Sequence, residues 1–336
     1  MFSITPFYSH IVMTAALQRG IALARLLENT GLTRESIQSG SDIEHKDFVR
    51  LLENACREMG DERLGLLIGQ RMNISVLGPV GAAAAVAPTI RDGLRAMASF
   101  SQLHASFVDI ELFAAPEGLR VETNYLSPLG STGRFHTESQ MLLIQHYIES
   151  MSGTRLSQAR YSLDYARPAY AEEYARLIHG HIEFDCKRPG VLLPLDILDV
   201  PSPYYHAQMW NQAQYLLALR LKELGQHDRQ SYSQHVLGLL RSSAPPLPEV
   251  ATIAAHLHVS ERTLNRRLQD EGCSYREMRM GVLAEWAQRY LKDSNDSIES
   301  IAAALGYRDT ANFRRAFRNR FGCAPAQYRE RAKSQG

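Results

Sequence analysis

A segment that occurs twice constrains this chain more than any other feature. Ile253-Ala254-Ala255-His256-Leu257 returns as Ile301-Ala302-Ala303-Ala304-Leu305, 48 residues later, and each copy is followed by a short turn and a basic amphipathic stretch. In the first copy Ser260 is placed to cap a helix that runs through Leu264 and Leu268 and stops at Gly272. In the second, Asp309 is placed to cap a helix through Phe313 and Phe317 that stops at Gly322. Apolar residues at i and i+4 put one face of each helix on a core. The opposite face carries Arg262, Asn265, Arg266 and Gln269 in the first helix and Asn312, Arg315 and Asn319 in the second, with Arg314 and Arg318 alongside. The pattern predicts an all-α domain with two helix-turn-helix units, residues 251–272 and 299–322.

Those faces have a specific chemistry. Arginine makes bidentate contacts with guanine, and asparagine or glutamine with adenine, so guanidinium and amide groups together suit the DNA major groove; lysines alone would point only to phosphate. Between the units, Tyr275 to Leu291 fits one helix of roughly 24 Å, which would set the two reading helices apart. Successive major-groove faces on one side of B-DNA lie about 34 Å apart, so one chain could read two adjacent segments. A basic helix taken alone is usually a solvated face. Two at a fixed offset are not accounted for that way.

Charge agrees with this division. The whole chain carries a net charge of only +1 over 336 residues. Residues 231–336, however, hold 16 Lys/Arg against 11 Asp/Glu, and residues 1–230 hold 21 against 25. A basic module joined to a mildly acidic one is the footprint of a nucleic-acid reader attached to a part that does not touch DNA. The length favours two domains. With 45% hydrophobic and 22% charged residues the composition is globular.

Other function classes find little support. No apolar run approaches the ~18–20 residues of a membrane span. The opening Met1-Phe2-Ser3-Ile4-Thr5-Pro6 lacks the basic region of a secretory signal, so the expected location is cytoplasmic. The four cysteines, Cys56, Cys186, Cys273 and Cys323, form no CxxC pair, which predicts buried thiols rather than zinc or disulfides. His179 and His181 lack a third ligand at useful spacing, and no metal or other cofactor is expected. No GxSxG, P-loop, HExxH or HxE…PCxxC arrangement is present, so no catalytic residue is assigned. The alternative of an enzyme fused to a DNA-binding head would rest on Cys56 or Cys186, neither in an electropositive motif.

Residues 1–200 read as one α+β domain. Helical spacing runs from Ile11 to Arg71 with breaks near Gly31 and Gly60; Gly78-Pro79-Val80-Gly81 reads as turn; and Thr89 precedes a helix through Leu94, Met97 and Phe100. Val108–Phe113 and Leu119–Thr123 read as strands, followed by a helix over Met141–Met151 and further strands at Arg160–Tyr165, His181–Cys186 and Val191–Leu193. Residues 201–230 read as an amphipathic helix from Tyr204 to Leu224 leading out of the domain, then a polar linker over Gly225–Gln230. Tyr204, Tyr205 and Trp210 are expected to pack on the core. The break Ser242-Ser243-Ala244-Pro245-Pro246 is placed inside the last domain, residues 231–332, because Val236, Leu237, Leu239 and Leu240 before it need a partner.

These motifs closely resemble the C-terminal domain of the AraC/XylS family of bacterial transcription regulators. The carriers are Ile253 through Leu268 in the first unit, and in the second Ser297-Ile298, Ala304-Leu305-Gly306-Tyr307, Asp309, Asn312 through Phe317, Phe321-Gly322, Pro325 and Tyr328. The resemblance implies base contacts by Arg262, Asn265, Arg266, Asn312 and Arg315, phosphate contacts by Gln269, Arg314 and Arg318, and a domain-holding role for Arg267. Arg308 and Ala311 stand where the family often has small hydroxyl residues. More loosely, Gly78-Pro79-Val80-Gly81, Ala87-Pro88-Thr89, Tyr174 and Gly180-His181-Ile182-Glu183-Phe184 resemble the "arabinose-binding-like" N-terminal domain of a branch that includes regulators of ornithine catabolism and quorum sensing. The implied partners are double-stranded operator or promoter DNA and RNA polymerase. The N-terminal domain is then expected to sense a small-molecule effector or a protein partner, with its ligand residues unassigned. Activation is the expected output, and a homodimer is expected through the helix from Tyr204 to Leu224 or through the N-terminal helices.

Overall fold

The main sheet is built around the strand Gly118–Tyr125, where Leu119, Val121 and Thr123 are buried and Arg120, Glu122 and Asn124 between them are half-buried. The computed structural model describes residues 2–38, 40–225, 232–257 and 259–334, and the chain divides into two units, Met1–His227 and Asp228–Gly336. In the first unit β1 (Ser3–Ile4) and β2 (Ile43–Glu44) form a small antiparallel pair. The five-stranded sheet comprises β3 (Val108–Ala115), β4 (Gly118–Tyr125), β5 (Arg160–Ser162), β6 (His181–Glu183) and β7 (Gly190–Pro194), in the order β3-β4-β7-β5-β6. Only β5 and β6 run parallel. Pairing of Ala115 with Gly118 leaves Pro116 and Glu117 as a two-residue hairpin turn.

The helix Gly133–Ser152 is the hub of this unit, buried through Phe135, Met141, Leu142, Tyr147, Ile148 and Met151. Gln145 ties it to the sheet, accepting from the Tyr161 hydroxyl at 3.3 Å and donating to the Leu177 carbonyl at 2.9 Å. The short helix Leu64–Gly69 lies against it at close range. A Cβ on Gly65 would strike Glu138 and the Phe135 backbone, and one on Gly69 would strike Leu142. The helix Ala207–Gly225 also belongs to this unit: Leu217 is buried in its core, with Trp210, Ala213 and Leu221 beside it.

Several sequence expectations are corrected here. The segment from Ile11 to Arg71 is not wholly helical, because it includes β2, which at two residues is too short for alternation to register. Gly78-Pro79-Val80-Gly81 is not simply a turn: Pro79 starts the helix Pro79–Ala85, its fixed φ and missing N–H suiting the first turn. The hub helix begins at Gly133, eight residues before Met141, since polar residues in its first turns hid the period. The strands expected over Arg160–Tyr165 and His181–Cys186 end at Ser162 and Glu183. Tyr204 and Tyr205 are not core residues but stand 60% and 48% exposed. The expected linker over Gly225–Gln230 falls, after Gly225, outside the described residues.

The regular elements among the described residues of the second unit are all helices: Tyr232–Arg241, Val250–His256, Glu261–Asp270, Tyr275–Asp293, Ile298–Ala304, Thr310–Phe321 and Pro325–Ser334. The connecting helix Tyr275–Asp293 is about 28 Å long at 1.5 Å per residue. It starts with a capping box in which Ser274 and Glu277 satisfy each other's backbone N–H groups. Val282, Leu283, Trp286, Ala287 and Leu291 bury its inner side.

Candidate nucleic-acid interface

Each helix-turn-helix unit is built by the same backbone hydrogen bonds. Leu257 N–H donates to the Ile253 carbonyl and Leu305 N–H to that of Ile301; Val259 N–H donates to Ala254 and Tyr307 N–H to Ala302, all at 3.0 Å. The sequence repeat is thus a geometric repeat as far as the turn. There the copies diverge: four residues separate His256 from Glu261, but five separate Ala304 from Thr310. Because Val259 and Tyr307 still match at the 48-residue offset, the added residue falls after Tyr307: Arg308 stands between Tyr307 and the cap Asp309, whereas the cap Ser260 follows Val259 directly. Beyond the turn the offset is therefore 49, with Leu264 matching Phe313 and Leu268 matching Phe317.

Both reading helices start as their caps predict. Ser260 Oγ accepts from Thr263 N–H at 3.1 Å, and Asp309 Oδ1 from Asn312 N–H at 2.7 Å. Leu264, Leu268, Phe313 and Phe317 are buried to 3% exposure or less. Arg262, Asn265, Arg266, Gln269, Asn312, Arg314, Arg315 and Arg318 are all exposed. In the first helix the four residues sit at i, i+3, i+4 and i+7 and share one face. Under the 49-residue offset their counterparts are Ala311, Arg314, Arg315 and Arg318. Asn312 lies instead in the capped first turn, its amide donating to Asp309 Oδ2 at 2.5 Å. Arg314 is held by Glu299 of the preceding helix at 2.8 Å. Arg267 points away from the reading face, its guanidinium 4.3 Å from the centre of the Tyr232 ring. Beside it Glu271 accepts from the N–H groups of Tyr232 and Ser233 at 2.6 and 2.8 Å. These contacts fasten Tyr232–Arg241 to the first reading helix.

Two polar clusters in the N-terminal unit leave no pattern in the sequence. Glu138 is fully buried and its Oε1 accepts from the hydroxyls of Tyr170 at 2.7 Å and Tyr174 at 2.5 Å, while burial pushes its carboxyl above the usual range. His104 and His136 line a small cavity of about 50 Å³ with Tyr8, Phe107, Tyr125 and Gln140. His104 Nδ1 and His136 Nε2 have no partner there. Burial lowers these imidazoles to about 4 and about 3, so both are neutral near pH 7. Their sequence separation gives no periodicity to detect, and His136 and Glu138 stand among other polar residues, Arg134, Thr137, Ser139 and Gln140, in the first turns of the helix.

The other candidates from the sequence are placed apart from any such cluster. His179 Nδ1 meets Glu149 at 2.5 Å and His181 is exposed. His256 is exposed, and His258 lies outside the described residues. Among the described residues no three His, Cys, Asp or Glu side chains gather to hold a metal. Cys56 is half-buried with its thiol pushed up by burial and by nearby carboxylates, the reverse of what a thiolate nucleophile needs. The Cys186 thiol donates to the carbonyls of Glu183 and Phe184. No helix among the described residues is long and apolar enough to cross a membrane.

Comparison with known proteins agrees with the geometry. Residues 20–202 match the model of the arabinose-binding domain of AraC transcription regulators, and residues 253–331 match a helix-turn-helix domain. The chain is 26% identical over 328 residues to the ornithine utilization regulator of Pseudomonas aeruginosa, covering 96% of this chain and 95% of that one. It is 25% identical over 292 residues to the transcriptional regulator VirS of Mycobacterium tuberculosis, covering 84% and 83%. The crystal structure of the transcriptional regulator CdpR from Pseudomonas aeruginosa superposes with a TM-score of 0.50 at 21% identity, over 96% of this chain and 98% of that one, a likeness of fold. With one family model spanning more than half of its length and the reading helices following in a second, the chain belongs to the AraC family of DNA-binding transcription regulators.

Proposed function

We propose that Glu261–Asp270 and Thr310–Phe321 enter neighbouring major-groove segments of one operator, where Arg262, Asn265 and Arg266 from the first and Asn312 and Arg315 from the second read base edges. Gln269, Arg314 and Arg318 hold phosphates. The observation that carries this reading is the common exposure of all eight side chains opposite Leu264, Leu268, Phe313 and Phe317, which are buried. The ion pair to Glu299 favours a positioning role for Arg314 over base reading, because it fixes the guanidinium beside the preceding helix. In this reading the protein works as a homodimeric activator that recruits RNA polymerase. Its N-terminal unit takes the effector, a small molecule or a protein partner.

Selection of bound sequences from a randomised duplex pool, with the full chain and single variants, tests the assignment. Arg266→Ala or Arg315→Ala should cost about 1–3 kcal/mol at the selected site and relax preference at one position, while Arg318→Ala should weaken all sequences alike. A changed preference with Arg318→Ala and an unchanged one with Arg266→Ala would reverse the two roles. An effector acts only through its different affinity for the DNA-competent and incompetent states, so any metabolite that changes operator affinity must have its own affinity changed by the operator by the same factor.

A further inference from the structure

Between the connecting helix Tyr275–Asp293 and the second reading helix Thr310–Phe321 lies a groove of about 440 Å³. That volume falls within the range of about 300–1,000 Å³ in which small-molecule sites lie. Arg276, Met280, Ala284 and Ala287 line it from the connecting helix. Phe313, Ala316, Phe317 and Arg320, at i, i+3, i+4 and i+7, line it from one face of the reading helix. The room comes from small residues, Gly281, Ala284, Ala287 and Ala316, where longer side chains would close the gap. Gly281 is the sharpest case. A Cβ built there meets nothing within 4 Å, and its φ is not among the positive ones, so no packing or backbone constraint in the fold calls for glycine. A glycine inside a helix is destabilising relative to alanine, and what this one supplies is open space in the groove.

The lining combines an apolar wall with cations that the fold leaves unpaired. Phe313 and Phe317 are 2% and 3% exposed, while Met280, an unbranched and adaptable side chain, stands 41% exposed at the edge. Arg276 and Arg320 are exposed, and neither makes a hydrogen bond or ion pair among the described residues. Glu277, the carboxylate on the lining, is already engaged, since its Oε2 accepts from Ser274 N–H at 3.2 Å and from Ser274 Oγ at 2.8 Å. Base reading does not use Arg320 either. At 100° per residue it stands about 140° around the helix from Arg315 and about 160° from Arg318, on the side of Phe317. A guanidinium in such a place suits a carboxylate, with which it forms charge-assisted hydrogen bonds, and the aromatic wall beside it suits an apolar body.

We propose that this groove is a binding site for a small organic carboxylate with an apolar ring or chain, held in the DNA-binding unit itself. Arg276 and Arg320 supply the charge, and the body lies along Phe313 and Phe317 in the space beside Gly281 and Ala284. Because Phe313 and Phe317 also anchor the second reading helix, the occupant sits behind that helix, on the side away from the bases. The site is separate from the effector of the N-terminal unit and does not depend on it. Calorimetric titration of the full chain with 2-naphthoate tests it, with 2-naphthylmethanol and acetate as the neutral and the purely ionic probes. 2-Naphthoate should bind saturably, its alcohol about tenfold or more weakly for want of the charge-assisted hydrogen bonds, and acetate not measurably. Gly281→Leu, which fills the groove with a better helix former, should abolish binding while the melting temperature stays at or above that of the wild type. The double variant Arg276→Gln/Arg320→Gln should bring 2-naphthoate down to the affinity of the alcohol and leave the salt dependence of DNA binding unchanged. Binding that survives both variants would put the probe elsewhere in the chain and overturn the site, as would the absence of saturable binding by 2-naphthoate. Equal affinity for 2-naphthoate and its alcohol in the wild type would overturn the role of the arginines. A shallower salt slope in the double variant would assign Arg276 and Arg320 to DNA phosphates and overturn the proposal as well.

Discussion

His104 and His136 show what burial does to a single side chain. Their unfolded forms take up a proton near pH 6.5, whereas in the fold burial lowers them to about 4 and about 3. As the pH falls below about 6.5 the unfolded chain therefore binds protons that the folded one refuses. The stabilisation from keeping them neutral is whole above that pH and is lost progressively toward pH 4. Each unit of depression is worth about 1.4 kcal/mol. His136→Phe should flatten the dependence of stability on pH between 6.5 and 4, as read by denaturant unfolding at a series of pH values. An unchanged slope would show that His136 takes up its proton as readily in the fold as in the unfolded chain.

At the scale of elements, the reading helices depend on their first turns. Four N–H groups at a helix start lack intrahelical partners, and Asp309 satisfies one of them while placing a negative charge at the positive end of the dipole. Asp309→Ala should cost about 0.5–2 kcal/mol in the thermal unfolding of the full chain, and Asp309→Asn should recover most of it. Because Asn312 also donates to Asp309, the alanine variant should weaken operator binding beyond its effect on stability. Equal melting temperatures for Asp309→Ala and wild type would show that the cap contributes nothing there.

For the whole molecule, the division of charge sets how DNA binding responds to salt. Each phosphate neutralised by Lys or Arg releases counterions, so affinity falls linearly on a log–log plot with a slope of about −0.9 per contact. Gln269 has no charge, so Arg314 and Arg318 are the cationic phosphate contacts assigned above. Replacing either by Ala should make the slope shallower by about one, measured by fluorescence anisotropy of the full chain on one duplex across a salt series. Gln269→Ala should weaken binding without changing the slope. A slope that remains the same for Arg318→Ala would remove Arg318 from the phosphate set.

The sequence by itself determined the two helix-turn-helix units, their caps and stops, their exposed faces, and the hairpin of the main sheet. Each is a local matter: a cap, an i, i+4 pair or a two-residue turn acts within a few residues, and periodicity records it. The tertiary structure alone decided features that depend on side chains distant in the chain. The first turns of the hub helix stayed hidden because His136 and Glu138 are polar residues buried by other elements. The one-residue shift between the reading helices was visible as spacing, but its consequence, that Arg314 rather than Asn312 matches Asn265, required the backbone bonds of both turns. Arg314's tie to Glu299 and Arg267's stacking on Tyr232 likewise cross between elements. Tyr204 and Tyr205 looked like core residues by type, yet the core was already filled on that side by Trp210, Ala213 and Leu217, and hydrophobicity does not specify which surface will cover it.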